Sequence, residues 1–267
     1  MNPNLIRYLM ILLVAPFVCS CSSEDPEPVF EATPYTLVDA KLKLTWTTAD
    51  LKGFVDLGGI DLDEDKLKYN TSIYRVVYKT DYKGDSIAAS AIVMLPETED
   101  QVSTVSFQHG TIASDLEAPT NLKLGNNQMI LLSILASTGL VVVVPDYIGF
   151  GESVEIMHPY YAEDLTATSV VNAIYASRQL VNQKNTNIDS DLYLAGYSQG
   201  GYATMATHKF FEEQGMSFYE LKASFPSSGG YDVKAFQEYF FQLETFHRPF
   251  FMAYVANAYK VSFDWSE

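Results

Sequence analysis

The chain has 267 residues, enough for one large domain with a substantial core. Hydrophobic residues make up 48% and charged residues 19%, which excludes a disordered chain. A net charge of −16 excludes a nucleic-acid partner, because phosphate binding needs clustered Lys and Arg; solubility of an exported protein accounts for the acidity.

The first twenty residues read as a lipoprotein signal peptide rather than as part of the fold. Arg7 gives a positive start, and the apolar run 9–18 is too short to span a membrane. Both cysteines, Cys19 and Cys21, follow directly, and two positions apart they are too close to form a disulfide. Val18-Cys19-Ser20-Cys21 resembles a bacterial lipobox, which implies lipidation at Cys21; the alternative is an ordinary cleaved signal peptide with incidental cysteines. Residues 21–34 form an acidic, proline-rich tether, similar to the acidic signals that send some lipoproteins to the outer cell surface. The expected place is therefore a bacterial envelope, with membrane contact only through the lipid.

Residues 35–67 show a mixed pattern, with a helix opening at Thr47-Thr48, running through 54 and broken by Gly58-Gly59. The β-rich runs 73–80 and 86–95 flank Lys83-Gly84-Asp85, which predicts a hairpin at a sheet edge. A strand over 102–107 runs into Gln108-His109-Gly110-Thr111. A helix is expected over 126–138. The aliphatic run 140–144 suits a parallel strand covered on both faces, and Pro145-Asp146 opens a loop after it. A long helix over 164–181 precedes a short apolar strand at 191–195.

That strand leads into Gly196-Tyr197-Ser198-Gln199-Gly200, and a helical pattern follows over 199–214 with Tyr202, Met205, Ala206 and Phe210 on one face and Gly215 as its stop. The five-residue pattern alone arises by chance in about one chain in ten of this length, so the weight rests on the strand before it and the helix after it. A serine on so tight a turn projects its hydroxyl above the sheet, and the glycines remove side chains that would collide there. The alternative is a plain glycine-rich turn. A further strand at 221–225 ends in Pro226. Strands alternating with helices predict a mostly parallel sheet with helices on both faces. Residues 233–267 are aromatic and helix-like, and fit either core or a cap over a substrate pocket.

With Gln108-His109-Gly110-Thr111, the run from Pro145 to Gly151, His158-Pro159-Tyr160 and Gly196-Tyr197-Ser198-Gln199-Gly200-Gly201 in place, the chain resembles the α/β-hydrolase superfamily, and within it the secretory-lipase-like branch and related bacterial esterases. The likeness covers roughly residues 73–232 and implies an α/β-hydrolase core over 35–232, with a helical cap beginning at 233. It also implies a Ser–His–Asp esterase or lipase working through an acyl-enzyme on a small-molecule ester, without metal or cofactor. By that resemblance Ser198 is the nucleophile, and the N–H groups of Gln199 and Thr111 are the oxyanion donors. His109 and Gly110 support the oxyanion loop, Asp146 ties its own loop together, and His158 is structural.

The sequence departs from the family's order of Ser, acid, then His. After Ser198 come only His208, ten positions down the helix and roughly 15 Å away at about 1.5 Å per residue, and His247. Two readings follow: a chain truncated within the cap and lacking its base, or His247 serving as an improvised base oriented by Asp232 or Asp264. A non-catalytic binding lipoprotein and a peptidase on the same scaffold are the other functional readings.

Overall fold

The structure is a computed structural model, and it describes residues 36–123, 125–245 and 250–263. The leader, the tether, Cys21, His247 and Asp264 lie outside the described residues.

A seven-stranded sheet carries the fold, in the order β1-β2-β3-β5-β4-β6-β7. Strands β1 (Leu37–Trp46), β2 (Thr71–Tyr82) and β3 (Asp85–Pro96) form an antiparallel half, and β3 also pairs antiparallel with β5 (Leu140–Pro145). From β5 through β4 (Val102–Gln108) and β6 (Ile188–Tyr197) to β7 (Glu220–Ser227) every pairing is parallel. The sheet is thus mixed rather than mostly parallel, and its parallel half is the part that presents the Ser198 turn.

The hairpin is internal, not at an edge, because β1 covers β2. Lys83 and Gly84 have φ of 56° and 87°, and Tyr82 pairs with Asp85, so this two-residue turn carries the twist that hairpin strands prefer. Helix α1 (Thr48–Gly58) starts in a reciprocal Thr47–Asp50 cap and stops at Gly59, which is left-handed at φ 58°.

Covering both faces of β5 requires an aliphatic residue at every position, and Val141 to Val144 are all buried. Val141 and Val143 pack with Ala173, Ala176 and Leu180 of helix α3 (Glu163–Gln183) on one face. Val142 and Val144 pack with Met129, Leu132 and Ala136 of helix α2 (Asn127–Ser137) on the other.

Helix α4 (Gln199–Gln214) buries small residues, Gly200, Ala203, Thr204 and Thr207, whereas Met205 is 39% exposed. Of the face expected from periodicity, Ala206 is buried and Phe210 packs against the core, while Met205 turns outward because the start of α4 lies too close to the sheet for large side chains. Two aromatic helices, α5 (Val233–Phe241) and α6 (Phe250–Ser262), complete the described chain; α5 buries none of its residues, and α6 buries Ala258. Among the described residues no helix is long and apolar enough to cross a membrane.

Candidate active site

Ser198 sits where β6 turns into α4, half-buried, with φ 58° and ψ −120°. A non-glycine residue rarely holds such a backbone, which costs of order 1–3 kcal/mol and persists only where the surroundings fix it. Here the Ser198 N–H donates to the Ser227 carbonyl of β7 at 2.9 Å, and the Ser198 carbonyl accepts from the Tyr202 N–H at 3.2 Å. The glycines permit the crowding: a Cβ at Gly200 would collide with the Gln108 carbonyl oxygen, and one at Gly196 with the Gly200 carbonyl.

The loop after β4 lies beside this turn. A side chain at Gly110 would meet the Ser198 Cβ at 3.8 Å and the Tyr197 carbonyl at 3.5 Å. His109 is buried, with Nδ1 2.7 Å from the Gly110 carbonyl and Nε2 3.4 Å from that of Asp146. Its ring lies 4.3 Å from that of Tyr147, and burial lowers its pKa. His109 therefore braces the loop as a neutral ring. The Thr111 hydroxyl is hydrogen-bonded to the Tyr160 hydroxyl at 2.7 Å.

Gln199, the first residue of α4, is buried, and its Nε2 lies 2.7 Å from His158 Nε2. His158 Nδ1 faces the Ile148 carbonyl at 2.6 Å and must donate there, which leaves Nε2 to accept from the Gln199 amide. Burial holds His158 at a pKa of about 4, so it is neutral and committed at both nitrogens.

Asp146 is fully buried at the end of β5. Its carboxylate accepts from Ser90 Oγ at 2.6 Å, Thr120 Oγ1 at 2.5 Å and the Thr120 N–H at 2.9 Å. Burial nevertheless raises its pKa to about 6 against the pull of those donors. Its hydrogen bonds run to Ser90 of β3 and to the 120 turn, so it fastens structure. His208 is far down α4, between Ser224 Oγ at 2.9 Å and Glu212 at 3.1 Å. Asp232 caps α5, its Oδ1 accepting from the Ala235 N–H at 2.8 Å. Among the described residues no histidine is hydrogen-bonded to Ser198, and no cluster of three or more His, Cys, Asp or Glu could hold a metal.

Local sequence patterns gave no sign of the two side-chain links to Thr111 and Gln199, which join positions 49 and 41 apart. A cavity of about 640 Å³ opens beside His158, between the 149–158 loop and α6; its wall mixes Phe150, Met157 and Tyr254 with Glu155 and Asn257, and Ser198 does not line it.

This order of strands around a serine turn has close counterparts among solved structures. A candidate hydrolase from Legionella pneumophila superposes with a TM-score of 0.74 at 26% identity, over 86% of this chain and 62% of that one. The rice cell wall degrading esterase LipA from Xanthomonas oryzae superposes at 0.64 and 27% identity, over 73% of this chain and 50% of that one. Residues 115–213 match the secretory lipase family. The chain has the α/β-hydrolase fold. The chain spans between half and about six tenths of the length of those solved structures. No curated protein matches it.

Proposed function

We propose that the chain is a serine hydrolase of the carboxylic ester type, an esterase or lipase working through an acyl-enzyme at Ser198. The observation that carries this reading is the strained Ser198 backbone at the head of α4, with the Gly110 loop packed against it. Ser198 Oγ attacks the ester carbonyl carbon, and the negative oxygen that forms is held by the N–H groups of Gln199 and Thr111. The first N–H groups of a helix have no partner within it, so the Gln199 N–H is available for that charge. The alcohol leaves, and water then releases the acid.

The Ser198 proton needs a base that passes it to the alcohol. His109 and His158 are committed and neutral, and His208 is bonded elsewhere, so none of the three serves, and the two readings of the base stay a histidine beyond residue 267 or His247.

A fluorophosphonate probe and a short-chain nitrophenyl ester test this against Ser198→Ala. Labelling and turnover that vanish in the variant support it. A wild type that neither labels nor turns over overturns it in favour of a non-catalytic binder, and cleavage of a peptide nitroanilide alone would favour a peptidase. We also propose lipid anchoring at Cys21 to a bacterial envelope; Cys21→Ser then moves the protein from the detergent phase to the aqueous phase.

A further inference from the structure

The His158-Pro159-Tyr160-Tyr161 segment holds the side chains of both residues assigned to the oxyanion. Tyr160 reaches Thr111 on one side, and His158 reaches Gln199 on the other. Tyr160 is itself fixed by rings, stacked 4.5 Å from Tyr254 at 8° and edge-on to Tyr161 at 4.6 Å. Tyr254 also lies 5.7 Å from the His158 ring, so one side chain of α6 touches both holders. Helix α6 has a second hold on the same segment: the Tyr259 hydroxyl donates to the Tyr161 carbonyl at 3.3 Å, and Tyr202 of α4 donates to that carbonyl at 2.9 Å. Tyr161 is bent into the left-handed region, φ 59°, where such anchors are needed.

We infer that His158 and Tyr160 are positioning residues that together set the two oxyanion donors, and that Tyr254 couples the position of helix α6 to both of them at once. This rests on the reading of Thr111 and Gln199 as oxyanion donors. The physical content is geometric. An oxyanion donor is worth its contribution only when its N–H is aimed at the developing charge before reaction. Neither donor residue is fixed by its own element alone: Thr111 lies in a loop and Gln199 opens a helix. Both are tied by side chains to a single short segment. That segment's aromatic surface is completed by α6, so a displaced α6 would leave Tyr160 without its stacking partner and free the Thr111 loop.

The test has two arms. In amide NMR spectra of the full chain, Tyr254→Ala is expected to shift and broaden the signals of both Thr111 and Gln199, although Tyr254 bonds neither. Tyr254→Phe, which keeps the stack, leaves both in place. In the second arm, Tyr160→Phe and Thr111→Val each slow phosphonylation of Ser198 about tenfold, the factor for one hydrogen bond. The double variant is no slower than either single one, because both remove the same contact. Additive losses, or Thr111 and Gln199 amides unmoved in Tyr254→Ala, overturn the inference. An unlabelled wild type would count against the hydrolase reading, while the NMR arm would still decide the coupling.

Discussion

Replacing Gly200 by alanine adds one methyl group where α4 meets the end of β4. That methyl would run into the Gln108 carbonyl oxygen, the Gln108 carbonyl carbon at 2.6 Å and the His109 carbonyl oxygen at 2.8 Å. All three are backbone atoms, so no side chain can rotate away, and α4 or the strand end must move. Overpacking a core typically costs about 1–3 kcal/mol, and backbone opposition places this case near the upper figure. For a domain of this size about 3 kcal/mol lowers Tm by roughly 6–12 °C. The same shift pushes the Gly110 loop off the Ser198 turn, so Ser198 labelling should fall as well. Gly53→Ala is the matched control. Gly53 lies within α1 with nothing inside 4 Å of the added methyl, so the change should stabilise by about 0.5–1 kcal/mol. Thermal melts by circular dichroism report the two together. If Gly200→Ala melts within a degree of wild type, the close approach of α4 to β4 is not what fixes the turn.

Ser198→Gly should raise Tm by roughly 2–4 °C, since about 1 kcal/mol of strain at φ 58° is released, while probe labelling is lost; Ser198→Ala keeps the strain and should melt close to wild type. Ser90→Ala removes the hydroxyl that donates to Asp146 at 2.6 Å and accepts from the Glu152 N–H at 2.8 Å, leaving the buried Asp146 carboxylate and the part-buried Glu152 N–H each short of a partner. Urea unfolding should show a loss of about 2–4 kcal/mol.

Residues 196–201 were legible because each carries a steric duty that only a few residue types meet, and sequence order alone places them between a strand and a helix. Strand β1 was not. Its residues 38–44 do alternate apolar and polar, a period of two that the mixed reading of 35–67 passed over, but two register shifts break the pleat and leave Val38 and Leu42 56% and 49% exposed, so the alternation does not mark a buried face. On α4 the periodic face placed Ala206 and Phe210 correctly but not Met205, because hydrophobicity marks what is large and apolar, whereas the first turns of a helix pressed onto a sheet select what is small. The clip residues His158 and Tyr160 could be seen as a motif, but their partners are distant in sequence. Only the fold brings Thr111 and Gln199 to them.

Two buried titratable groups flank the loop at Tyr147, and they pull stability in opposite directions over one pH window. Asp146 has an ordinary pKa of 3.8 and about 6 in the fold. The folded state therefore holds its proton more tightly, and the associated stability is present below 3.8 and lost as pH rises through about 6. His158 falls from 6.5 to about 4, so its stability is present above 6.5 and lost as pH drops through about 4. At about 1.4 kcal/mol per unit each effect is roughly 3 kcal/mol, and in the wild type they largely cancel. His109, also lowered by burial, adds to the loss on the acid side. Asp146→Asn should unmask the histidines, making urea stability fall more steeply from pH about 7 to about 4.5 than in wild type. His158→Asn should do the reverse and leave a protein whose stability is less diminished on acidification, even if its overall stability is lower. Three parallel pH profiles would mean that neither group is desolvated as its burial requires, and the opposed-charge account of this loop would be wrong.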